Sequence, residues 1–437
     1  MGSVMHGRFH RVVQGLRPPR GWRRTVYLIA VATFINSTGF MFVAPLLPLM
    51  VREVGVTDVQ QVAVWSGAIF GIAPLFGGIG APFWGAVADR TGYKLMLVRT
   101  FAAFTIATFL MGFAASPWHL LALRLLIGIF GGFTPVAVAV VTAAAPRERT
   151  GQAVGIYQAG QVLGWVMGPL IGGVLGDVVG LRATFFITAF LFVVPMVLIW
   201  LFYEEVPRKT TPDAPREQGS RLALLRLPGV GLLLAVVFLW TFVDASYAPI
   251  VPLYITRLDP SVEQVASRTG LILSAAAVAT AISTYVSGRL TLRFEPQRLM
   301  GVGLAAGALL ALALSFSRSW EQLLVFRVGL GLFAGGLSAL AYAVGGRVFP
   351  AQRRGLAFGL MASGGLMGGA SSPVIAGAIA AWDFRGVFWV HALLYALCLV
   401  WLLRLKGFRV AVSRESAALP RPEGRDAPGP PGISPSS

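Results

Sequence analysis

What most constrains this chain is a series of apolar runs, each about 18 to 25 residues long and nearly free of charge, separated by short polar stretches. They lie near residues 25–50, 64–87, 96–115, 120–144, 153–176 and 183–203, and again near 229–255, 269–290, 299–317, 322–346, 356–380 and 387–405. At a rise of about 1.5 Å per residue, each run matches the roughly 30 Å hydrocarbon core of a bilayer. The expected fold is an all-α membrane protein with twelve transmembrane helices. Composition agrees: 56% of residues are hydrophobic and 12% charged, against roughly 25% charged in soluble domains, which is too apolar for globular cores. Fibrous, disordered and disulfide-scaffold classes are excluded on the same ground. The lone Cys398 can form neither an internal disulfide nor a cysteine metal cage.

The net charge of +18 would suggest a nucleic-acid partner in a soluble protein, but its distribution gives another reading. Most of the 36 basic side chains fall in the two terminal segments, the central linker and the loops after spans 2, 4, 8 and 10. The opposite loops hold only Arg52, Arg182, Arg257, Arg268, Arg318 and Arg385. By the positive-inside rule both termini are expected to be cytoplasmic, in a multi-pass protein of the inner (plasma) membrane, and no nucleic acid is needed to explain the charge. The expected organisation is a basic segment over 1–24, a six-helix bundle over 25–203, a linker over 204–228, a second bundle over 229–405 and a disordered tail over 406–437. Residues 1–24 have no apolar core or cleavage site, so the first span is expected to be retained.

Sliding the second half over the first by 203 or 204 positions brings landmarks into register. Pro45 and Pro48 meet Pro249 and Pro252, Arg124 meets Arg327, Pro146 meets Pro350, Gly151 and Gly155 meet Gly355 and Gly359, and Pro169 meets Pro373. The chain therefore reads as two pseudo-symmetric bundles, an arrangement that suits a transporter rocking about a site between them. In span 5, Gly160, Gly164, Gly168, Gly172 and Gly176 recur every four residues and form a face without side chains. In span 11 the matching positions are Gly364, Gly368, Ser372, Ala376 and Ala380, all small. Static helix packing is the plain explanation of such a face, and contact across the bundle interface is the functional one.

Several local signatures resemble one family. GAVADRTGYK, from Gly85 to Lys94, resembles the loop between helices 2 and 3 of the major facilitator superfamily. Gly39 with Pro45 and Pro48, Arg124 with Gly128 and Gly132, and Gly164, Gly168, Pro169, Gly172 and Gly173 are similar to the span 1, span 4 and antiporter motifs of its twelve-helix drug:proton antiporters. The resemblance covers residues 25–405 and implies the major facilitator fold with secondary transport. It also implies a cytoplasmic gate at Gly85, Asp89, Arg90, Gly92 and Lys94, where Asp89 meets a helix N-terminus or an arginine of the other half. It casts Arg124 as part of a proton-linked network. Two departures stand out: span 1 has no acidic residue, and Leu292 occupies the position matching Asp89 while Arg293 keeps the base.

Asp244 is the acidic residue deepest within a span, and an unpaired carboxylate there is costly unless it is protonated, paired or facing water. Burial would favour its neutral form, so Asp244 is the expected proton-coupling or cation-recognising residue, and a satisfied structural acid is the plain alternative. Arg124 and Arg327 lie about five or six residues inside spans 4 and 10, roughly 8 Å from the helix start, where snorkelling, gating or an anion clamp are the options. Asn36, Phe40, Tyr157, Gln158, Gln161, Trp240, Tyr247, Tyr342 and Met361 are candidate cavity residues; aromatic groups with sparse polar ones suit amphipathic organic substrates better than sugars. No Walker A loop or HExxH pair occurs, and His119 and His391 have no ligand spacing, so neither a metal nor a cofactor is expected. The expected function is proton-coupled efflux of amphipathic small molecules by a monomer. A transporter of one metabolite or lipid, and a non-transporting sensor or scaffold, are the alternatives.

Overall fold

A computed structural model describes residues 21–205, 229–349 and 354–404. The linker apart from Glu204 and Glu205, the tail and most of the basic N-terminal segment lie outside these. Among the described residues, twelve helices are long and apolar enough to cross a membrane. They are Trp22–Phe42, Val59–Thr91, Tyr93–Met111, Pro117–Ala144, Arg147–Val179 and Leu181–Phe202, then Val230–Leu258, Val265–Leu290, Pro296–Ser315, Trp320–Val348, Leu356–Trp382 and Phe384–Arg404. They are numbered here as spans 1 to 12.

Span 1 is shorter than its apolar run. It stops at Phe42 and resumes as a short helix, Leu47–Glu53, because Pro45 and Pro48 cannot donate to the helical ladder. The matching Pro249 and Pro252 lie inside a continuous span 7. Spans 4 and 10 also break in mid-membrane, at Phe130–Gly132 and Gly335–Gly336. Gly132 takes φ +103°, a left-handed conformation that favours glycine. Carbonyls freed by such a break find no water in lipid, so side chains must satisfy them. In span 4 the Trp84 indole donates to Ile129 O at 2.6 Å, and Arg99 donates to Phe130 O and Gly131 O at 3.1 and 2.9 Å. The Arg99 guanidinium lies 3.5 Å from the centre of the Trp84 ring. In span 10, Ser283 Oγ accepts from the Gly336 amide at 3.0 Å and Thr284 donates to Gly335 O at 3.4 Å.

Within each half, span 5 packs along span 1 and span 11 along span 7. The span 5 glycine face explains the first pairing: a Cβ at Gly164 would lie 2.6 Å from Phe34 O, and one at Gly168 2.5 Å from Met41 Cβ. Gly172 likewise abuts Phe42, and Gly368 abuts Phe238 and Thr241 of span 7. The reading that this face meets the other bundle is therefore corrected, since its glycines let helices of one half approach each other. A second face makes the interface. Gly173 meets Ala266 and Ser267 of span 8, Gly270 meets Pro169 and Leu170, and Gly67, Gly71 and Gly377 close span 2 on span 11.

All of these interface contacts lie toward the end away from the termini. Toward the terminal end, a Cβ at Gly85, Gly151, Gly155, Gly288 or Gly359, on the same four spans, would meet nothing within 4 Å. The halves are thus joined at one end and open at the other. Overpacking costs about 1–3 kcal/mol, so Gly168→Leu is expected to wedge spans 1 and 5 apart and lower the Tm of the detergent-purified protein, while Gly155→Leu leaves it unchanged. Thermal unfolding of the two variants checks this, and equal Tm values would refute the packing assignment.

Candidate functional site

Asp244 lies midway along span 7, and Arg327 of span 10 reaches it. Arg327 Nη2 donates to Asp244 Oδ1 at 2.5 Å. The pair is unequal: the arginine side chain is 4% exposed and the aspartate 49%. A carboxylate facing open space keeps much of its hydration, so the buried guanidinium is the group that depends on the pairing. Burial of Asp244, on which the expectation of a neutral form rested, is not found; the acid faces out of the helix packing and is held by a base behind it.

That base sits in a polar pocket. The Arg327 guanidinium stacks over the Tyr247 ring at 4.2 Å, three residues along the helix from Asp244. Tyr247 is buried and stacks on Phe388 of span 12. His391, on the next turn of span 12, lies 5.7 Å from the Tyr247 ring, and its Nε2 shares a 3.2 Å hydrogen bond with Ser246. His391 was passed over in the sequence for want of ligand spacing; its signal was an ionisable group in mid-span, which is functional by default.

Among the described residues, Arg124 has no such acid. It is 2% exposed, with its guanidinium 5.3 Å from the Phe40 ring and 5.7 Å from the Phe70 ring. A cavity of about 10 Å³, the size for one water, lies against it between Gly39, Phe40, Thr108 and Phe192. Neither arginine snorkels. Arg124 is held by aromatic faces and Arg327 by Asp244, so the two matching positions have different surroundings.

The cavity candidates divide by exposure. Gln158 is exposed, and Asn36, Phe40, Gln161 and Tyr342 are half-buried. Tyr342 packs its ring on Phe358 at 5.7 Å. Tyr157, Trp240, Tyr247 and Met361 are buried and present no surface to a substrate in this conformation, because they fill the packing within the two halves.

At the terminal end Asp89 accepts from the Tyr93 hydroxyl at 3.2 Å, within its own half. Arg90 is exposed, and Gly92 turns the chain into span 3 at φ +107°. The resemblance implied that Asp89 meets a helix N-terminus or an arginine of the other half; among the described residues its hydrogen bond is to Tyr93 of its own half. The N-terminus of span 3 is capped by Glu205, which follows span 6 and accepts from the amides of Tyr93 at 2.7 Å and Lys94 at 3.1 Å. Glu205 went unnoticed in the sequence, although acids immediately after an apolar span are a visible signal.

Residues 29–268 and 263–431 match the profile of the Major Facilitator Superfamily. The chain belongs to this superfamily. A relative named multidrug resistance protein MdtG, from Salmonella heidelberg, is 35% identical over 384 residues, covering 86% of this chain and 93% of its own. The MdtG protein of Serratia proteamaculans is 36% identical over 386 residues, covering 85% and 91%. Among solved structures, a bacterial homolog of the human lysosomal transporter Spinster, in an inward-facing and occupied conformation, aligns with a TM-score of 0.69 at 18% identity, over 91% of this chain and 98% of that one. The nucleoside transporter NupG aligns with a TM-score of 0.70 at 13% identity, over 87% and 100%. These structural likenesses establish the fold: two pseudo-symmetric six-helix bundles of the major facilitator type.

The unequal burial of the Asp244–Arg327 pair carries a consequence for this superfamily member. Removing the partner of a buried charge costs about 3–5 kcal/mol, and less where water reaches the site. Asp244→Ala is therefore expected to lower Tm more than Arg327→Met does, and the double variant to recover part of the loss. Thermal unfolding of the three proteins checks this; equal losses for both single variants would contradict the asymmetry.

Proposed function

We propose that the protein is a secondary active exporter of amphipathic small molecules, exchanging them for protons by alternating access. The observation that carries this reading is the half-exposed Asp244 held by a buried Arg327 in spans of the second half. A carboxylate that can meet water while its cationic partner stays fixed can take up and release a proton, and the partner then loses or regains its counter-charge. Opening of the halves toward the terminal end supports access to that acid from one side. With the basic loops and both termini in the cytoplasm, this is an inward-open state in an inner membrane. The drug class is supported by relatives named multidrug resistance proteins and by the aromatic, sparsely polar set at Phe40, Tyr342, Asn36, Gln158 and Gln161. No resident cofactor or metal takes part in this reading, and the unit is a monomer.

Asp244→Asn is expected to abolish substrate-induced proton release from everted vesicles, read with a pH-sensitive dye, while expression stays intact. Normal coupled flux in this variant would remove Asp244 from the mechanism. Proton-coupled uptake of one metabolite, with no response to amphipathic cations or dyes, would instead favour a dedicated metabolite transporter.

A further inference from the structure

The interface between the halves is not symmetric. Span 8 begins at Val265 behind Gln264, which is in the left-handed region at φ 58° and makes no side-chain cap. Its cap comes from the other half: Asp177, in the last turn of span 5, accepts from the Ser267 amide at 2.7 Å through Oδ2. Two more bonds run along the same seam. The Leu170 amide donates to Ser274 Oγ at 3.0 Å, and Ser267 Oγ donates to Gly173 O at 3.5 Å. Span 2, the counterpart of span 8, is capped within its own half, where Asp58 accepts from the Gln60 amide at 3.1 Å. At the positions of span 11 that match Asp177 stand Ala380 and Ala381. One acid thus supplies charge to a helix N-terminus across the interface, on one of two otherwise equivalent seams.

A carboxylate accepts from an N-terminal amide and offsets the positive end of the helix dipole; a neutral carboxyl loses the charge part of both. Asp177 is exposed, at the end away from the termini. We propose that Asp177 is a proton-binding latch of that gate: ionised, it holds span 8 against span 5 and keeps the gate shut, and a proton from the water at that end releases it. The proton goes onto the Asp177 carboxylate and returns to the same water when the gate recloses. Around it, span 8 presents Arg268, which lies over the Trp320 ring at 5.0 Å, and span 6 presents Arg182, bonded to Glu53 at 2.7 Å. Arg52 stands at the outer end of the first half, and Glu263 and Asp259 precede span 8. Asp259 is held below the usual carboxyl range by the Ser261 hydroxyl and amide.

The latch rests on alternating access and not on Asp244, so the test reads distance and leaves transport aside. In a Cys398→Ala background, spin labels at Gln61→Cys with Trp382→Cys report the far end, and labels at Arg90→Cys with Leu292→Cys report the terminal end, in lipid nanodiscs across a pH series. The same series in Asp244→Asn removes the other acid's contribution. Losing one charged cap shifts such an equilibrium about fivefold. Asp177→Asn is expected to lower the closed-to-open ratio at the far end by that factor at neutral pH and to abolish its response to acid. Ser274→Ala is expected to shift the ratio while keeping the pH response, and Asp58→Asn to change neither. The same distances and pH response in Asp177→Asn as in the parent would overturn the proposal. So would a pH response that survives in Asp177→Asn or vanishes in Ser274→Ala.

Discussion

The whole arrangement depends on two bundles meeting through bare backbone. Lipid offers helices no hydrophobic drive to associate, so association comes from close van der Waals approach, which glycine permits. Here the contact of spans 2 and 5 with spans 11 and 8 is made by Gly67, Gly71, Gly173, Gly270 and Gly377 against carbonyls and Cα atoms. A surface of this kind has few interlocking side chains to disengage. The halves can part without moving a packed core, whereas the contacts within each half, where Phe101, Phe185, Tyr247 and Phe388 interdigitate, hold each bundle as a body.

Against that symmetric scaffold the ionisable groups are placed asymmetrically. Arg124 and Arg327 occupy matching positions and are equally buried, yet one rests on two phenylalanine rings and the other on an acid and a tyrosine. The acid belongs to the second half because span 1 carries none where span 7 carries Asp244. Duplication accounts for the frame, and divergence after it for the chemistry.

Much of the frame was legible in the sequence. Twelve apolar runs and a displacement of about two hundred residues between matching prolines, glycines and arginines determine a doubled bundle, because lipid permits little else. Boundaries moved where local chemistry intervened, as at Pro45, which ends span 1 early. The site was legible only in part. Asp244 stood out as a deep acid, but its partner was seen as an arginine paired by symmetry with Arg124, since residue spacing does not reveal which helix faces which. For the same reason spacing could not choose between static packing and interface contact for the span 5 glycines, which pack on span 1, and the caps supplied by Glu205 and Asp177, which join residues about ninety or more positions apart, were not foreseen.

The break in span 4 has a mechanical meaning of its own. Trp84 and Arg99 staple the freed carbonyls of Ile129, Phe130 and Gly131 to spans 2 and 3, while at the matching positions of the second half stand Gly288 and Gly303. The fracture in the first half is splinted by long side chains; among the described residues, the one in span 10 is joined by the hydroxyls of Ser283 and Thr284. The two matching breaks are therefore closed by different chemistry, an indole and a guanidinium reaching in from neighbouring spans in the first half and serine and threonine hydroxyls in the second.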